Sequence, residues 1–292
     1  MSPDGLVKVL LLAVVQGIAE FLPVSSSGHL VVLDQLYQRL FPTDGRDQEN
    51  VVLTITLHLG TLAAILVVYR HDLWGIWRRP RLCLAIVVAS IPAAVVGLLF
   101  KEQIEATFTK PLVVACGWVV TAALLHYGQR LGRNARRLEE LSLLDAVVIG
   151  CFQAVSACFR GVSRSGSTIS GGLFMGLRRE AAAAFSFLIA IPVTGGAALL
   201  KARPLLKLLF VQLHVLPVEK GPTTAEVAEM LGGYSPLVLM IGAATSFVVG
   251  LVALRWLLRI ITQRGLNWFV WYCLVVAALT FAWQGYEYLA RS

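Results

Sequence analysis

Charge is what this sequence is short of. Asp, Glu, Lys and Arg make up 14% of its 292 residues, whereas 57% are hydrophobic and the mean hydropathy is +0.74. A soluble domain carries about 25% charged residues. So few charges cannot cover a water-facing surface, which excludes a soluble globular protein and leaves an integral membrane protein. Paired cysteines are also missing. The five present (Cys83, Cys116, Cys151, Cys158, Cys273) lie within or beside apolar segments, with no C-x-x-C pair and no histidine at metal spacing. That excludes a disulfide framework and a zinc site and reads as small apolar packing. No low-complexity stretch or separate soluble domain interrupts the chain, so residues 1–292 read as one membrane domain. Lys8 followed by an apolar run resembles a signal peptide but lacks a small-x-small cleavage site, so the N-terminus is expected in the mature protein. The net charge is +8, but its arginines cluster between apolar runs, as a topology signal does. A nucleic-acid partner is not expected.

Six apolar runs, near 51–69, 82–100, 111–127, 182–200, 235–257 and 267–289, approach the roughly 20 helical residues needed to cross a bilayer. Two other regions, 5–41 and 142–177, each hold two shorter apolar pieces broken by a Gly/Ser-rich motif. Paired, broken helices predict re-entrant hairpins, whose irregular backbone is tolerated only inside protein or beside a wet cavity. If 142–177 enters and leaves on one face, the arginine-bearing loops at 70–81, 128–141, 178–180 and 255–266 share a face, which is then cytoplasmic. The first hairpin, the 42–50 loop, the 101–110 loop, the 201–234 connection and the C-terminus fall outside. A short surface helix is expected near 224–231. The fold class predicted is thus an all-α polytopic membrane protein, an inverted-topology repeat of six spanning helices plus two re-entrant helical hairpins. Repeat one covers about 1–127 and repeat two about 128–292.

The hairpin breaks carry the polar residues. Val24-Ser25-Ser26-Ser27-Gly28 lines up with Val162-Ser163-Arg164-Ser165-Gly166, which suggests one site made of two halves. An ionisable residue at membrane depth is costly and functional by default. Glu20 follows Gln16 by four residues, so both share a helix face, and Arg164 is the cation that would keep Glu20 charged. Serines at the start of a helix cap it and border an anion site. Ser25, Ser26, Ser27, Ser163, Ser165, Gly166 and Thr168 are the expected cradle for a phosphate, with the Arg164 fork upon it and Gln16 also expected to bind substrate. His29, one residue past the turn, is expected to carry protons. His58, His71, His126 and His214 have no such neighbours in sequence. Arg160 is a second cation beside the cradle. Such a set suits phosphoryl transfer, and a site within the bilayer calls for a phosphate-bearing lipid. The PAP2 lipid-phosphatase pattern fails: no K-x6-R-P occurs, and the sixth residue after Arg164 is Ser170, not histidine.

Gln16-x-x-x-Glu20 continuing as FLPVSSSGH, Arg160 to Thr168 (RGVSRSGST), ISGGLFMG and FSFLIAIP together resemble the BacA/UppP family of undecaprenyl pyrophosphate phosphatases. The resemblance extends over essentially the whole chain. It implies hydrolysis of the terminal phosphate of undecaprenyl pyrophosphate, which regenerates the lipid carrier for cell-wall synthesis, and an association with bacitracin resistance. It implies a bacterial inner-membrane location with a site open to the outer face. By the same resemblance Ser26 is the nucleophile, Glu20 and His29 the acid/base pair and Arg164 the pyrophosphate clamp; attack by an activated water, with Ser26 only donating hydrogen bonds, is the alternative. A divalent cation, Mg or Ca, held at Glu20 is the implied cofactor, and a homodimer is left open. Two positions depart from the family pattern. Gln16 is its neutral option, which removes a carboxylate from any metal site, and Arg160 replaces its proline. Activity is expected to survive both, with altered metal dependence. A transporter or flippase for a polyprenyl phosphate, built on the same repeat, is the alternative.

Overall fold

The computed structural model describes residues 3–40, 51–100, 110–133, 135–201 and 234–291. They form eleven helices, α1 (Pro3–Ala19), α2 (Ser26–Leu40), α3 (Val51–Val68), α4 (Arg70–Trp74), α5 (Pro80–Leu99), α6 (Pro111–Leu131), α7 (Leu143–Cys158), α8 (Arg164–Phe174), α9 (Arg179–Lys201), α10 (Pro236–Gln263) and α11 (Asn267–Arg291). Single 3-10 turns sit at Ile76–Arg78 and Leu138–Glu140. The expected 42–50 loop, most of the 101–110 loop and the surface helix near 224–231 lie outside the described residues.

Helix starts follow local chemistry. Pro80, Pro111 and Pro236 open α5, α6 and α10, where a missing N–H costs nothing. Ser142 caps α7 in a reciprocal box with Asp145. Five helices (α5, α6, α9, α10 and α11) are long and apolar enough to cross a membrane. The expected sixth crossing is the 18-residue α3, which at 1.5 Å per residue spans about 27 Å, just under a hydrocarbon core of about 30 Å. Two expected loops are shorter than read from hydropathy. Helix α6 runs on to Leu131 and α10 to Gln263, because no breaker intervenes before Gly132 and Gly265. Arg255 and Arg259 therefore ride on the last turns of α10.

Both short-helix regions break where expected. Helix α1 ends at Ala19 and α2 begins at Ser26, while α7 ends at Cys158 and α8 begins at Arg164. The first turn is pinned by Trp118 Nε1, which donates to the Val24 carbonyl at 2.8 Å. The second is pinned by the Thr121 hydroxyl, which accepts from Ser163 N–H at 2.9 Å. Helix α6 supplies both anchors. Gly117 on α6 permits this approach, since a Cβ there would lie 2.5 Å from the Arg160 carbonyl oxygen. Gly161 is more constrained: its φ is +91° and an added Cβ would meet the Val114 carbonyl oxygen at 2.1 Å. Gly161→Ala combines left-handed strain with a backbone clash, so it should destabilise by at least about 2 kcal/mol. Thermal unfolding in detergent measures this, and a wild-type midpoint would show that the turn does not need glycine.

The arginine-bearing segments meet at one end of the bundle. Arg79 lies 3.9 Å from Glu139. The amides of Ala135 and Arg136 donate to the Gly176 carbonyl at 3.1 and 2.9 Å, and the Gln129 side chain bonds Asn267 at 2.6 Å. Arg136, read from sequence only as a topology charge, also has a structural role. Its guanidinium donates to both Asp145 oxygens, at 3.2 and 2.8 Å, and to the Met175 carbonyl at 3.0 Å. It ties the base of the α7–α8 pair together.

Candidate active site

The two turns meet. Ser165 Oγ donates to the Leu22 carbonyl at 3.2 Å, and Arg164 Nη2 donates to Glu20 Oε1 at 2.7 Å. Their helix entries share a capping pattern. In the first, Ser25 Oγ accepts from Gly28 N–H at 3.3 Å and lies 3.4 Å from Ser27 Oγ. In the second, Ser163 Oγ accepts from Gly166 N–H at 3.1 Å and lies 3.2 Å from Ser165 Oγ. The aligned motifs therefore share one pattern of capping hydrogen bonds. One feature separates them: Ser25 has φ +67°. A left-handed, non-glycine cap costs about 1 kcal/mol or more, and it swings the chain sharply into α2 so that Ser26 stands at the helix mouth.

A cavity of about 260 Å³ opens where the turns meet. Glu20, Ser25, Ser26, Ser27, Ser163 and Arg164 line it, joined by Thr54, Ile55 and His58 of α3, Ser156 of α7, and Val193, Thr194, Ala197 and Ala198 of α9. The N-termini of α2 and α8 both border it, and helix N-termini favour anions. Glu20, with only 9% of its side chain exposed, organises the polar wall. Its Oε2 accepts from Ser26 Oγ at 2.7 Å and from Gln16 Nε2 at 3.0 Å, and its Oε1 accepts from Arg164. Arg164 Nη1 is buried and has no partner among the described residues. A buried guanidinium donor left open costs free energy until an anion meets it. A nucleophile-type hydroxyl, a carboxylate that accepts from it, and a guanidinium thus line one space.

Not every expected residue reaches this space. His29 turns away from it: Nδ1 bonds the Ser25 carbonyl at 2.7 Å and Nε2 bonds Tyr272 Oη at 2.8 Å. Its ring packs against Trp118 and Tyr272, with centroids 5.1 and 5.7 Å away. Gln16, Ser165, Gly166 and Thr168 sit behind the cavity wall. Gln16 is fully buried against Glu20, and Thr168 Oγ1 bonds the Arg164 carbonyl at 2.8 Å and Ser186 Oγ at 2.6 Å. These four support the wall and do not themselves line the cavity. Arg160 does not line the cavity either. The residue missed from sequence is His58, whose Nε2 stands 3.7 Å from Glu20 Oε2. Its signal was present, since an ionisable side chain inside an apolar run is itself a functional marker.

The donor set does not fit a metal held by the protein. Three of the roughly four acceptor positions of the Glu20 carboxylate are taken by N–H and O–H donors. Hard cations need several oxygen ligands, and among the described residues Glu20 is the single carboxylate lining the cavity, with the Oε1 of Gln16 behind it buried and unpartnered. Among the described residues no cluster of three or more His, Cys, Asp or Glu is gathered.

Residues 9–279 match the family model described as bacitracin resistance protein BacA. The chain belongs to the BacA family. Its BacA-type relatives include a protein of Rhodopirellula baltica named undecaprenyl-diphosphatase, 40% identical over 94% of this chain and 96% of the relative. Proteins of the same name from Mycobacterium ulcerans and Corynebacterium efficiens are 37% and 35% identical, over 93% and 96% of this chain and 94% and 91% of theirs. Within the BacA match fall both turns and every cavity-lining residue.

Proposed function

We propose that this chain is a membrane phosphatase that hydrolyses undecaprenyl diphosphate to undecaprenyl phosphate and inorganic phosphate. The observation that carries the reading is the Ser26 hydroxyl donating to Glu20 beside the unpartnered Nη1 of Arg164. Family membership and the names of the relatives point the same way. In this reading Arg164 and the two helix N-termini hold the terminal phosphate. Glu20 takes the Ser26 proton as Oγ attacks phosphorus, and the lipid monophosphate leaves with the bridging oxygen. Water then frees the phosphate from Ser26. Regenerating the lipid carrier accounts for the family's bacitracin association.

The cavity opens to the outer face of a bacterial cytoplasmic membrane. Its lining residues on α3, α7 and α9 lie roughly 20 Å along their helices from the arginine-rich end, at 1.5 Å per residue. By the positive-inside rule that end is cytoplasmic. The helix pairs α1–α2 and α7–α8 are two re-entrant hairpins in an inverted repeat with six crossings, α3 being the shortest. Two observations support this: the matched caps at Ser25 and Ser163, and packing of α1 on α10 alongside α7 on α5, one arrangement with the halves exchanged. Because such repeats also serve alternating access, lipid translocation is the competing activity.

Purified protein should release phosphate from farnesyl or undecaprenyl diphosphate in detergent and in liposomes. Movement of a protected short-chain lipid without phosphate release would favour the carrier reading. The filled carboxylate makes a second expectation specific. Equilibrium dialysis of lipid-free protein against Ca²⁺ should find no stoichiometric site tighter than about 1 mM, the weak end of oxygen-ligand calcium sites. Stoichiometric binding that Glu20→Gln removes would show that the carboxylate gives up its donors to a metal.

A further inference from the structure

His58 lies on α3, away from both motifs, yet it lines the cavity they form. Its Nδ1 is 2.8 Å from the Thr54 carbonyl oxygen. A carbonyl can only accept, so Nδ1 carries a proton and the ring is held with Nε2 on its other side. Nε2 stands 3.7 Å from Glu20 Oε2, the oxygen that accepts the Ser26 hydroxyl at 2.7 Å. Side-chain exposure is 27% for His58 and 9% for Glu20, so the imidazole is the wetter member and adjoins the cavity's contents. Among the described residues, the charged or titratable groups that line the cavity with it are few. The α1–α2 turn brings Glu20 and α8 brings Arg164, while α9 contributes only Val193, Thr194, Ala197 and Ala198 and α10 lines none of the cavity.

We propose that His58 is the proton-transfer histidine of this site, in the place the family resemblance gave to His29. Both nitrogens of His29 are committed to Ser25 and Tyr272, whereas His58 has one nitrogen fixed and the other turned to the reacting pair. This is the arrangement of an oriented acid/base imidazole. The inference rests on the phosphatase reading of the same cavity. In the first step the Ser26 Oγ–P bond forms and the bond from the terminal phosphorus to the bridging oxygen breaks, its electron pair leaving with the lipid monophosphate. The Ser26 proton passes to Glu20 Oε2 and on to His58 Nε2, which restores the carboxylate beside Arg164. In the second step water opens the Ser26–phosphate bond, keeping its hydrogens on the departing phosphate. The proton stored on His58 returns through Glu20 to Ser26 Oγ.

Chemical rescue tests this in the full-length protein. With farnesyl diphosphate as probe, His58→Ala should lower kcat about 10²-fold, the lower end of an acid/base contribution, with little change in KM. Added imidazole should restore at least about a tenth of the wild-type rate by filling the vacated space, and should not restore Glu20→Gln. Wild-type turnover in His58→Ala, or a folded, slow His58→Ala without rescue, would overturn the proposal. Should His58→Ala fail to fold in a thermal melt, His58→Gln decides. It keeps a polar side chain but has no transferable proton, so a similar loss supports the role and a wild-type rate sinks it. Ser26→Ala and Glu20→Gln run alongside. If both keep normal turnover, the phosphatase reading of the cavity fails; if they are inactive while the His58 variants are normal, only the histidine assignment fails.

Discussion

Ser26→Ala is expected to abolish phosphate release, by about 10³-fold or more, while leaving the fold intact. The size follows from the serine's double role. In the proposed reaction its Oγ is the attacking atom, and its hydroxyl already donates to Glu20 at 2.7 Å, so removing it deletes the nucleophile and leaves the base without its proton donor. Stability should change by less than about 1 kcal/mol. The hydroxyl is one hydrogen bond, the α2 cap belongs to Ser25, and Glu20 keeps Gln16 and Arg164 as donors. Phosphate release and a thermal melt on the same sample separate the two quantities. A loss of only about tenfold would transfer the attack to a water activated by Glu20, with Ser26 reduced to a hydrogen-bond donor.

Arg164→Met should be damaging twice over, in activity and in stability. The guanidinium satisfies Glu20 Oε1 through Nη2 at 2.7 Å, and in the proposed reaction it also holds the terminal phosphate. Losing a preorganised cation on a transferring phosphoryl group costs about 10²- to 10³-fold in kcat. The variant also strands a carboxylate that is 9% exposed, and breaking a buried pair from one side costs about 3 kcal/mol. The double variant Glu20→Gln with Arg164→Met should recover most of the lost stability, because no buried charge is left alone, and should remain inactive. A thermal-melt cycle over the four proteins reads the coupling. If Arg164→Met alone melted like wild type, the pair would not be the structural link between the two turns. If the double variant turned over substrate, the pair would not be the reactive centre.

Much of the site is legible in the sequence because the membrane imposes a simple physical filter. Polar residues inside oily segments are expensive, so Glu20, Ser25 to Ser27, Ser163 and Arg164 stand out by residue type and position alone. The breaks in 5–41 and 142–177 follow from Pro23, the serines and Gly161, whose backbone demands cannot be met by continuous helix. Helix ends are less legible, since α6 and α10 run past their apolar stretches until a glycine stops them.

What the residues by themselves determined was therefore the chemistry of the site: a carboxylate, a serine and an arginine carried on two related turns. What only the tertiary structure decided was which side chains share the cavity. His29 lies three residues from Ser26 and is drawn off by Tyr272 and Trp118. His58, far along the chain on another helix, is delivered to Glu20. Thr168 and Ser165, inside the motif, are spent on backbone carbonyls and on Ser186. The reason is geometric. Cost at membrane depth depends on residue type and local run, which a sequence displays, whereas the direction of a side chain depends on how helices pack and rotate against one another.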